Sequence, residues 1–162
     1  DHGARLLAAA EQAHRVKDAL VLAVDDDTNA FNAYMDARRL PQGSAEEKIV
    51  REAAMLEGLK IAVNVPFQTA AHSFEAMEAA AAVIGHGNPA SITDGMVGVQ
   101  MGFAGVRGGI WNVLINLKDI SDEAYNADMV AKCEKLLMEA RALMDRALGE
   151  GDRRLEAMLA KK

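Results

Sequence analysis

Apolar residues recur at spacings of three and four along almost the whole chain, and no segment alternates with period two. That rhythm puts apolar side chains on one face of an α-helix and argues against strands. It predicts four long helices. The first covers residues 3–38 and ends at RRLPQGS, where Pro41 and Gly43 make a turn. Ser44 and Glu47 have the spacing of a capping box and open the second helix. This helix runs toward Ile84 with a kink expected at Pro66, because an interior proline removes a helical hydrogen bond and crowds the preceding turn. In GHGNP (85–89) glycines stop the helix, Asn88 caps the next one and Pro89 takes its first position. The third helix reaches Leu117. Ser121 is expected to cap the fourth, with Asp122 and Glu123 complementing its dipole. The fourth ends at about Leu148, and residues 149–162 are expected to fray into a charged tail.

The fold class is therefore all-α: an elongated up-down antiparallel bundle in one domain spanning 1–162. Composition supports this, with 51% hydrophobic residues, only 4% aromatics and three prolines in an Ala- and Met-rich chain. Long Ala-rich helices leave apolar flanks uncovered, so a homo-oligomer is expected. The net charge of −6 without a basic cluster argues against nucleic acid. From Gly95 to Leu117 the only charge is Arg107, which raises a membrane reading. Gln100, Arg107, Asn112 and Asn116 are too many polar groups for a lipid-facing span. One cysteine, Cys133, and no signal-peptide pattern suit the cytoplasm. Asp1 in place of Met suggests a piece of something longer.

Two patterns carry candidate chemistry. Gly95, Gly98, Gly102, Gly105 and Gly109 form one stripe that continues into Asn112 and Asn116. Each interior glycine costs about 1 kcal/mol relative to alanine, so something must offset the stripe. Close helix packing is one reading and is favoured from spacing alone. The other is a groove for a flat ligand, with the asparagine amides as paired donors and acceptors.

The second pattern is VDDDT (24–28) inside the first helix. Leu20, Val24, Asp27, Phe31 and Tyr34 fall on one seam, which puts a carboxylate where a leucine belongs. Either the helix breaks there and an aspartate caps its restart, or Asp27 is a desolvated carboxyl with a raised pKa. Asp94 borders the glycine stripe and is equally an ordinary first-turn acid. His2, His14, His72 and His86 lack metal-ligand spacing, and no metal site is expected.

Three stretches, VDDDTNAFNAYMDARRLPQGSAEEK (24–48), GNPASITD (87–94) and NVLINLKDISDEAY (112–125), resemble the formimidoyltetrahydrofolate cyclodeaminase family, most closely the cyclodeaminase domain of bifunctional formimidoyltransferase-cyclodeaminases. The likeness extends in order from Val24 to Leu148. It implies an all-helical dimer, alone or in a ring of dimers, with a formimidoyltransferase domain preceding it in bifunctional members. The implied reaction turns 5-formimidoyl-tetrahydrofolate into 5,10-methenyl-tetrahydrofolate and ammonia in histidine degradation, with no cofactor beyond the folate substrate. The family's catalytic aspartate is the second acid of Val-Asp-x-Asp, here Asp27. Asp94, Asn112 and Asn116 fall in matching segments as site-lining, substrate-binding residues. Arg39, with Arg38 and Arg107, is assigned to the glutamate tail of the folate, polyglutamylated or not. A Ser-Pro-x-Pro-Gly-Gly-Gly-Ser segment that begins family members is absent here. Two alternatives stay open: a methenyltetrahydrofolate cyclohydrolase, and a non-catalytic helical oligomerisation domain.

Overall fold

The computed structural model describes residues 2–160, which form four long helices without a strand among the described residues. They are α1 (His2–Arg38), α2 (Ala45–His86), α3 (Ile92–Leu117) and α4 (Glu123–Leu159), with a 3-10 turn (Pro89–Ser91) between α2 and α3. The expected box at the start of α2 is complete. Ser44 Oγ accepts from the Glu47 N–H at 3.1 Å, and the Glu47 carboxylate accepts from the Ser44 N–H at 3.0 Å. Asn88 caps the 3-10 turn by accepting from the Ala90 N–H at 3.0 Å. α1 continues through Asp25, Asp26 and Asp27 without a break, because all three point their charge into water.

Two expected boundaries move. Asp122, not Ser121, caps α4, accepting from the Tyr125 N–H at 3.0 Å while pairing with Lys60 at 2.9 Å. An ionised acceptor that also ties down a lysine on α2 is the stronger cap. Nor does α4 fray at Gly149: it continues to Leu159, while residues 161–162 of the expected tail lie outside the described residues. Gly151 is buried, and a Cβ there would lie 2.6 Å from Met96 Sδ on α3. Arg154 donates to the Ile84 carbonyl near the end of α2. Tertiary packing thus holds a segment that propensity alone would release.

The core repeats every seven residues. α1 buries Ala9, Val16, Ala30 and Ala37; α2 buries Val63, Ala70, Met77 and Ile84. α3 buries Ile92, Val99, Val106 and Val113, and α4 buries Cys133, Ala140 and Ala147. A sustained seven-residue repeat keeps one seam facing a neighbouring helix. On α1 the seam is mostly alanine, so α1 and α2 approach closely: a Cβ on Gly58 would stand 3.0 Å from the Tyr34 Cα. This overturns the expected seam. Val24 and Phe31 are exposed, and so is Asp27. Small residues take the contact because they let the backbones close, and the larger ones are left on the outer face.

α1 packs on α2, α2 on α3, and α4 on both α2 and α3, with no close backbone approach of α1 to α3 or α4 among the described residues. The glycine stripe is packing. A Cβ on Gly109 would lie 2.6 Å from the Pro66 carbonyl oxygen, one on Gly95 3.0 Å from the Ala80 oxygen, and one on Gly105 3.0 Å from Ser73 Cβ. α2 therefore covers the stripe, and the reading of it as an open ligand groove is corrected. No helix among the described residues is long and apolar enough to cross a membrane.

A candidate active-site cleft between the first three helices

Because α1 and α3 pack on α2 without a close backbone approach to each other, a cleft remains between them with α2 as its floor. A cavity of about 510 Å³ occupies it. From α1 come Leu20 and Val24, then Asp27 and Thr28 one turn further on. Pro66 and Thr69 form the floor, and Gly108, Gly109 and Asn112 supply the α3 wall. One end of the cavity is thus apolar, and the other holds a carboxylate, two hydroxyls and an amide.

Each polar group has a local reason for its position. The Thr28 and Thr69 hydroxyls donate back to the carbonyls of Val24 and Val65, at 3.2 and 3.1 Å. Asn112 Nδ2 donates to the Gly108 carbonyl at 3.0 Å, which braces the amide along its own helix. Asp27 makes no ion pair among the described residues, so its carboxylate is available to a ligand. Gly108 lies off the packed stripe and has open space where a Cβ would be. That missing methyl widens the cavity beside Asp27 and Asn112.

Asp27 and Asn112 are brought together; the other expected site residues are not. Asn116 Nδ2 donates at 2.8 Å to the carbonyl of Ala62. Ala62 lies four residues before Pro66, whose ring nitrogen has no hydrogen to give it. The Asn116 amide therefore fills a vacancy that the proline creates, and it ties α3 to α2. Asp94 is exposed in the first turn of α3, at the far end of that helix from Asn112. Arg39 follows the end of α1 and pairs with Asp36 at 2.8 Å, both mostly exposed. Arg107 stacks over exposed Trp111 at 4.7 Å. Thr69, Thr28 and Gly108 were not singled out by sequence reasoning, although Gly108 is the glycine that breaks the stripe's spacing. Among the described residues no three His, Cys, Asp or Glu side chains cluster as a metal site.

Against this geometry the comparisons with known proteins are direct. The sequence model of the formiminotransferase-cyclodeaminase family matches residues 1–135. The formimidoyltransferase-cyclodeaminase of Gallus gallus is 41% identical over 128 residues, covering 79% of this chain and 24% of that protein. The methenyltetrahydrofolate cyclohydrolase of Methylorubrum extorquens is 35% identical over 136 residues, covering 84% of this chain and 65% of the relative. In fold, the formiminotetrahydrofolate cyclodeaminase of Thermotoga maritima superposes with a TM-score of 0.68 at 23% identity, covering 90% of this chain and 67% of that structure. The chain belongs to the formiminotransferase-cyclodeaminase family. It spans about a quarter of the bifunctional relatives, and its family and fold relatives are folate-related cyclodeaminases and cyclohydrolases.

Proposed function

We propose that the cleft binds a tetrahydrofolate and that the chain catalyses cyclodeamination of 5-formimidoyl-tetrahydrofolate to 5,10-methenyl-tetrahydrofolate and ammonia. The observation that carries this reading is the pairing of Asp27 with Asn112 across one cavity, in a chain of this family. The substrate enters as the protonated formimidoyl group, an amidinium; N10 attacks its carbon and closes the five-membered ring, leaving the former imino nitrogen as a neutral NH2 group. Asp27 takes the proton that N10 sheds and returns it to the former imino nitrogen, now an amine. The carbon–nitrogen bond then breaks, ammonia leaves and the positive charge stays on the methenyl product. A well-placed carboxylate acting first as base and then as acid contributes on the order of 10²–10⁴-fold. Its negative charge also stabilises the cation at both ends of the reaction. Asn112 offers an amide to the donor and acceptor edge of the pterin, and the flat ring enters beside Gly108. A bound pterin displaces water from around the exposed Asp27, which confines the proton to the transfer.

A second reading has its own support. The cyclohydrolase of Methylorubrum extorquens is matched over far more of its length than the bifunctional enzymes are. In that reaction water adds to the methenyl carbon and Asp27 takes one proton of the water and passes it to N5 as the bond from N5 to that carbon breaks; the hydroxyl releases its proton to solvent as it becomes the carbonyl of the 10-formyl product. Leu22, Phe31, Met101 and Trp111 lie exposed on α1 and α3. Their exposure fits a homodimer, in which a second copy covers these faces.

Incubating the purified chain with each substrate separates the readings. Production of methenyl-tetrahydrofolate from the formimidoyl compound, with slow loss of added methenyl compound, supports the cyclodeaminase. The reverse pattern supports the cyclohydrolase. If neither folate turns over and neither raises Tm, the cleft is not a folate site.

A further inference from the structure

The Asp27 cavity does not close at its apolar end. Leu20 and Val24 also line a larger space of about 600 Å³ that follows α1 toward its N-terminus, with Ala76 and Val83 on the α2 side. The two spaces form one trough. The part that follows α1 toward its N-terminus is lined by Ala, Val and Leu apart from Lys17; among the described residues that line the whole trough, Asp27 is the one acid and Lys17 the one base.

We infer that Lys17 determines specificity for a glutamate-bearing tetrahydrofolate, taking the glutamate α-carboxylate while the pterin lies at Asp27 and the p-aminobenzoyl ring lies along Leu20, Val21 and Val24. The inference rests on the folate reading above. Lys17 and Asp27 belong to one unbroken helix, and ten residues span ~15 Å along its axis. Standard bond lengths carry N10 of the folate to its α-carboxylate across about 10 Å, and the lysine stem covers the remainder. The order of chemistry also matches: a cationic reacting carbon at the acid, an aromatic ring over apolar wall, and an anion at the base. Lys17 pairs with Asp18 at 3.0 Å, but both side chains are mostly exposed. A pair of that kind contributes little and gives way to a ligand carboxylate. Arg39 stands beyond the other end of α1 and lines neither part of the trough.

The test compares the binding of tetrahydrofolate and of the primary amide of tetrahydropteroic acid, which keeps the benzoyl amide and lacks the glutamate with its carboxylates, to the full chain and to Lys17→Met. The unaltered chain is expected to prefer tetrahydrofolate by about tenfold, as for one charge-assisted contact. Lys17→Met removes that preference and leaves affinity for the tetrahydropteroic amide unchanged, while Lys17→Arg keeps the preference. A Lys17→Met chain that still prefers tetrahydrofolate, or that loses both ligands equally, overturns the assignment and leaves the folate reading intact. If the unaltered chain binds neither compound, the folate reading falls and this inference falls with it.

Discussion

Asn116 offers a clean separation of fold from function. Its Nδ2 lies 2.8 Å from the Ala62 carbonyl, in the half-buried seam between α2 and α3. Pro66, four residues on, cannot supply the helical N–H that this carbonyl would otherwise accept. Asn116→Ala leaves the carbonyl without its partner in a partly dry seam. The cost is about 1–2 kcal/mol, which for a chain of this size lowers Tm by roughly 3–6 °C. Pro66→Ala restores an N–H within α2, so the same asparagine change should cost less in that background. The expected coupling is about 1 kcal/mol in a double-mutant cycle read by urea unfolding. Folate affinity should be unaffected by Asn116→Ala and weakened by Asn112→Ala. Strictly additive stability costs would refute the vacancy argument, as would a loss of folate binding without a loss of stability.

The remaining predictions also turn on single contacts. Gly108→Ala meets no neighbour and gains up to about 1 kcal/mol of helix propensity, yet narrows the cavity, so Tm rises while turnover falls. Gly109→Ala forces α2 and α3 apart against the Pro66 carbonyl, and its net cost of about 1–3 kcal/mol appears as a lower urea midpoint. Truncation after Leu148 strips the cover from Ile84 and Met96 and should lower Tm while increasing amide exchange where α2 meets α3. The Asp122 carboxyl is held below the usual range, first by its bond to Lys60 and then by the Tyr125 N–H, while Lys60 is raised by the same bond. The Asp122 contribution is therefore present above the ordinary aspartate pKa and lost as pH falls through the lowered value. The Lys60 part persists below the ordinary lysine pKa and disappears only as pH rises through its raised value. Asp122→Asn should flatten the acid limb of a urea-midpoint profile below the ordinary aspartate pKa.

Much of the bundle was legible in the sequence, and the failures have physical causes. Ser44 and Glu47 are three residues apart and satisfy each other locally, so their box is visible without tertiary information. The covered face of α1 was misread because weight went to large apolar residues. In a close alanine-lined contact the small ones, Ala9, Ala30 and Ala37, go inside, and Val24, Asp27 and Phe31 go outside. The seam that points to Asp27 in the sequence does not exist; its place in the structure is on the wall of the cavity, beside Thr28 and facing the α3 residues. Pro66 announces that Ala62 needs a donor, but nothing local says that the donor comes from Asn116, 54 positions away. The end of α4 depends on Met96 and Ile84, also distant in the chain. Gly108 was visible as the glycine out of step with the stripe, whereas the openness beside it follows only from the gap between α1 and α3.

The most direct test of the central claim is turnover of 5-formimidoyl-tetrahydrofolate by the chain, by Asp27→Asn and by Asp26→Asn, followed through the near-ultraviolet absorbance of the methenyl product. Asp26 is exposed on the same turn of α1 but does not line the cavity. Asp27→Asn is expected to lose about 10²-fold or more of the rate, as for removal of a general acid–base group, while Asp26→Asn stays near the unaltered chain. Equal rates for all three proteins, above the uncatalysed background, would contradict the assignment of Asp27 and of the cleft that holds it.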